Sequence, residues 1–157
     1  MKFQTAVLVF HISAGIAAVV VGPIAMLSRK RRGRHTRAGE LYHWIMLTVC
    51  LSAVLVAILE WQRLWGFPYI ALGSYALTFT GYLAAKRRWN GWLYAHVSAV
   101  SGSYVAIVTA SLVVNWEKIT GVPGITSPWA WSLPTVVGSI IIAWVNHQIR
   151  TGKRPKR

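Results

Sequence analysis

Five histidines, one cysteine and three glutamates carry most of the side-chain chemistry that this 157-residue chain offers. They are His11, His35, His43, His96 and His147, with Cys50, Glu40, Glu60 and Glu117; aspartate is absent. Imidazole ligates zinc, copper, iron and haem iron. Facing histidines in a helical bundle are a usual way to hold haem or a metal ion. A Ser–His–Asp set has no aspartate to draw on, and no phosphate-binding glycine loop or paired intramembrane carboxylates occur. Hydrolase and ATPase chemistry therefore has no support, and the catalytic residues, if any, are not named by the sequence.

The histidines sort by depth. His43, His96 and His147 each lie about eight residues to one side of the centre of an apolar stretch, roughly 12 Å along a helix. They are expected to form an inner cluster that His35, in the adjoining basic connection, can join. His11 lies on the other side of the midplane. A lone ionisable group in an apolar span is a functional hypothesis by default. Glu60 is its candidate partner, for a metal or for a proton relay. Cys50, mid-span, reads as an apolar filler.

The elements that must position these groups are membrane spans. Hydrophobic residues make up 55% of the chain and charged residues only 13%, half the share of a soluble domain. Five stretches approach the ~20 apolar residues that cross a bilayer: about 5–28, 41–59, 67–85, 93–114 and 129–149. Fourteen of the 17 Lys and Arg fall in the first connection, the third connection and the tail, the places that five spans put on one face. The positive-inside rule then sets the N-terminus outside and the C-terminus in the cytoplasm. Trp61, Trp65, Trp116, Trp129 and Trp131 mark one boundary; Trp44, Trp89, Trp92 and Trp144 mark the other, as an aromatic belt does. The first stretch is too long, and wrongly flanked, for a cleaved signal peptide. The basic clusters are split over three connections, which suits anionic lipid headgroups and not nucleic acid.

A short internal similarity is visible. Lys30-Arg31-Arg32 precedes Gly39-Glu40-Leu41-Tyr42-His43, and Lys86-Arg87-Arg88 precedes Gly91-Trp92-Leu93-Tyr94-Ala95-His96. Two parallel helical hairpins, with a fifth span added, account for it. His11, Gly15, Ala18 and Gly22 form one stripe of the first span, where small residues let another backbone approach. His43, Met46, Cys50, Ala53, Ala57 and Glu60 share a face of the second span, its natural partner.

These residues carry a resemblance. His11 and Gly22-Pro23, then His35-x-x-x-Gly39-x-x-Tyr42, then Ala84 to Arg88 before a helix with His96, Ser101, Ser103 and Tyr104, resemble a bacterial family of predicted integral membrane proteins of unknown function. The likeness runs over roughly 7–114 and implies that His11, His35 and His96 are the special positions. His43 and His147 lie off that pattern, and Glu40 stands where the family pattern has Arg.

The sequence therefore reads as an all-α polytopic membrane protein: one transmembrane domain over 1–149 and a basic cytoplasmic tail over 150–157. The setting is a cell membrane, most simply the bacterial cytoplasmic membrane. The expected function is haem b or transition-metal binding of redox type, through His11, His35 and His96, with His35 and His96 as metal ligands and His43 and His147 as weaker ones. The alternatives are a non-catalytic accessory subunit bound to another membrane protein or to a second copy, and a small transporter. Reporter fusions at Lys30 and Lys153 should report cytoplasm and a fusion at Thr120 the outside; a cytoplasmic signal at Thr120 would break the five-span reading.

Overall fold

The computed structural model describes residues 2–29 and 33–152. The triplet Lys30–Arg32 and the tail beyond Gly152 lie outside the described residues. The chain is helical: α1 Lys2–Leu27, α2 Arg34–Leu59, the short α3 Trp61–Leu64, α4 Phe67–Arg87, α5 Trp92–Thr120 and, after a 3-10 turn at Gly124–Thr126, α6 Pro128–Arg150. No strand occurs among the described residues. Pro23 and Pro134 sit inside continuous helices.

Four helices, α1, α2, α5 and α6, are long and apolar enough to cross a membrane. The expected third span is a helix too, but it falls short on apolarity. The reason is its composition: Tyr69, Ser74, Tyr75, Thr78, Thr80 and Tyr82 dilute the apolar residues of α4. Ser74 and Thr78 are nevertheless buried, and the Thr78 hydroxyl donates to the Ser74 carbonyl at 3.0 Å. A helix supplies its own acceptors to such hydroxyls, so they enter a protein interior at little cost.

α1 packs on α2, α2 on α4, α4 on α5 and α5 on α6. Tyr42, Met46, Val49 and Cys50 of α2 form the core with Ala18, Ala71 and Ile107. The α2 face expected from its spacing is thus buried at His43, Met46, Cys50 and Ala57, while Glu60, placed on the same face, is exposed. Outward-facing Ile12, Ile16 and Val20 of α1 and Ile140, Ile141 and Trp144 of α6 are more than half exposed. On a water-soluble protein such surfaces would be an association site; here they suit hydrocarbon.

The small-residue stripe of α1 behaves unevenly. A Cβ on Gly22 would lie 2.6 Å from Tyr104 Cδ2 and 3.3 Å from Tyr42 Cε2, whereas one on Gly15 would meet nothing within 4 Å. Gly15 therefore does not mark a close approach, contrary to the expectation from spacing. Spacing assigns a residue to a face, but two crossing helices touch closely over only part of their length. Gly22→Leu should destabilise the bundle by about 1–3 kcal/mol, as overpacking does, while Gly15→Leu should be near neutral. Unfolding titrations of both variants in mixed micelles check this; equal losses would contradict it.

Candidate functional site

Two of the five imidazoles meet. The ring centres of His35 and His96 are 6.1 Å apart, with planes at 85°. His35 is the second residue of α2 and His96 the fifth of α5. Each helix is entered through a glycine with positive φ, Gly33 at 132° and Gly91 at 77°. A side chain disfavours both conformations, so glycine lets the chain turn directly into each His-bearing helix. These two glycines are the structural equivalents; Gly39, matched to Gly91 by the sequence pattern, lies inside α2.

Both rings are anchored in one way. His35 Nδ1 lies 2.7 Å from the Ala25 carbonyl oxygen of α1, and His96 Nδ1 lies 2.8 Å from that of Gly81 in α4. A carbonyl only accepts, so each Nδ1 carries the hydrogen and donates it. In the neutral ring the lone pair is then on Nε2, the tautomer of a histidine that ligates through Nε2. Gly81 serves twice: a Cβ there would lie 3.1 Å from the Val100 backbone nitrogen, so its absence brings α5 within reach of the Gly81 carbonyl. Trp92 stands 6.3 Å from the His96 ring, and the Arg88 guanidinium lies 5.4 Å above Trp92.

The larger inner cluster does not form. His43 stacks on Tyr82 of α4 at 4.3 Å, while His96 bonds to the adjacent residue Gly81. Successive residues point about 100° apart around a helix, so His43 and His96 share a level but flank different sides of α4. His147 is exposed on α6. Equal depth was legible; convergence was not, because depth says nothing of rotation about the helix axes. No group of three or more His, Cys, Asp or Glu side chains is placed to hold a metal ion among the described residues.

His11 is separate and half-buried. Its Nδ1 is 2.9 Å from Ser52 Oγ, which also lies 2.8 Å from the Thr48 carbonyl and 3.0 Å from that of Val49. The hydroxyl has one hydrogen, and with that hydrogen on a carbonyl the oxygen accepts from His11. The partner is therefore Ser52 and not Glu60, which stands eight residues further along α2, about 12 Å by helical rise. Glu40 pairs with Lys86 at 2.6 Å, joining α2 to α4. Cys50 is buried and unpaired by disulfide, as expected of a filler.

Sequence reasoning missed the backbone acceptors Ala25 and Gly81, which carry no side-chain signal. It also missed Tyr75, Phe79 and Tyr82, whose i, i+4, i+7 spacing puts three rings on one face of α4.

Fold and apolar surface define a multi-pass helical membrane protein. The chain belongs to the family of predicted membrane proteins designated DUF2306, a domain of unknown function, which it matches over residues 8–146. The match thus continues through α5 into α6. No curated protein and no solved structure matches the chain.

Ser52→Ala should remove the α1–α2 side-chain link and cost about 0.6–2 kcal/mol, the range for interhelical hydrogen bonds in membranes. Unfolding in mixed micelles measures it, and a stabilised variant would contradict the pairing.

Proposed function

We propose that the chain is a redox-type membrane protein that holds haem iron between His35 and His96 at the cytoplasmic end of the bundle. The observation that carries this reading is the anchored pair: two rings 6.1 Å apart, each with Nδ1–H on a backbone carbonyl. Ring centres 6.1 Å apart are close enough for both imidazoles to reach one iron. A carbonyl on the far nitrogen is the usual second-sphere support for a ligating imidazole.

The ligand count favours haem over a bare ion. Structural zinc takes four protein ligands and catalytic zinc three; only two imidazoles meet here. Haem would bring its own four nitrogen ligands, so His35 and His96 would be sufficient to hold it. Bound haem would supply one-electron transfer. Arg34, Arg37 and Arg88, close in sequence to the two histidines, offer guanidinium groups for its carboxylates. His11 serves the bundle as an interhelical hydrogen bond in this reading.

In the same proposal α4 is the third of five spans, with the N-terminus outside the bacterial cytoplasmic membrane. Its 21 residues reach about 31 Å, enough for the hydrocarbon core. It packs between α2 and α5. With four spans the basic third connection and the tail would leave the face that carries the first connection. The basic face would contact anionic headgroups.

Protein purified from cells supplied with iron and a haem precursor should show a Soret band, with sharp bands after reduction by dithionite. His35→Ala and His96→Ala should each abolish low-spin haem, while His147→Ala retains it. A colourless, iron-free protein, or unchanged spectra in both alanine variants, would leave the accessory-subunit alternative standing.

A further inference from the structure

His43 takes no part in the proposed haem site. It is 6% exposed, and its Nδ1 has no hydrogen-bond partner. Such a nitrogen is destabilising, whereas an apolar ring of similar shape would fill the place without that cost. Its surroundings are aromatic. Tyr82 stacks on the imidazole at 4.3 Å, Trp44 meets it at 5.3 Å, Tyr75 at 5.8 Å and Phe79 at 6.3 Å. Trp44 is 61% and Phe79 44% exposed, so the outer rings of this wall face hydrocarbon.

We propose that the wall binds the ring of a lipid-soluble quinone, with a ring oxygen hydrogen-bonded to His43 Nδ1. A flat ring bearing oxygens at its edge answers both features: its faces pack against aromatic side chains, and its edge meets the lone nitrogen. Neither lipid tails nor headgroups do so. Tails carry no polar atom, and His43 lies nine residues inside the start of α2, roughly 13 Å by helical rise. A neutral imidazole nitrogen donates in one tautomer and accepts in the other. Nδ1 can therefore donate to a quinone carbonyl or accept from a quinol hydroxyl. Trp44, 5.3 Å from the imidazole and 61% exposed, is the outward-facing part of the wall. The site is distinct from the His35–His96 pair and holds whether or not haem is bound.

The test is equilibrium binding of a short-chain benzoquinone to the full chain in phospholipid nanodiscs, with empty nanodiscs correcting for partition. The wild type should bind saturably, His43→Phe should weaken binding at least tenfold, and Trp144→Leu, on α6, should leave it unchanged. His43→Phe should also melt at a higher temperature than the wild type, which separates lost binding from lost folding. His35→Ala and His96→Ala should bind the quinone as the wild type does, so failure of the haem reading would not register here. Binding no greater than partition, or equal binding by His43→Phe, would overturn the proposal.

Discussion

The close approach of α4 and α5 at Gly81 is the contact on which the site depends. A side chain at that position would press on Val100, backbone included, and push α5 away. The Gly81 carbonyl would then leave the reach of His96 Nδ1, and the His96 ring would lose the bond that fixes its tautomer and its direction. Gly22 has the matching role on α1, where Tyr104 and Tyr42 lean on the backbone. Tyr104 donates to the Val19 carbonyl, and the Tyr42 and Ser103 hydroxyls bond at 3.2 Å. These contacts tie α1, α2 and α5 together beside the Ala25 carbonyl that orients His35.

The bundle accommodates its polar groups by one rule. Where no water competes, a hydroxyl or imidazole must find a partner inside the protein. Ser52, Thr78, Ser103 and Thr109 bond to carbonyls of their own helices, and Tyr94 and Asn146 join α5 to α6. His11, His35 and His96 obey the rule through Nδ1. His43 Nδ1 and Asn146 Oδ1 break it; Asn146 still donates through its amide nitrogen to Ser98, and a broken rule is where function is to be sought.

Much of this was legible in the sequence because bilayer thickness sets helix length and the basic residues gather at one set of connections. The α2 face from His43 to Ala57 was legible through its spacing. His35 was legible as the companion of His96 from its place in the first connection. The short repeat pointed elsewhere: it aligned Gly39 with Gly91, and so His43 with His96. The structure aligns Gly33 with Gly91 instead, by their positive φ, a backbone property that a pattern of residue names does not record. The carbonyls of Ala25 and Gly81 were invisible for the same reason. The lower apolarity of α4 was overlooked because its hydroxyls are scattered singly among leucines and alanines. The Gly15–Gly22 contrast depends on where two helices cross, which their separate sequences do not state.

If His35 and His96 hold haem iron together, as proposed, each imidazole is needed for its spin state. Electron paramagnetic resonance of the oxidised, purified protein is the measurement to make, because a ferric haem held by two imidazoles would be low-spin. The proposed pairing of His35 and His96 predicts a low-spin ferric signal that disappears in both His35→Ala and His96→Ala. A high-spin signal, a low-spin signal unaffected by these substitutions, or no ferric signal at all would contradict it.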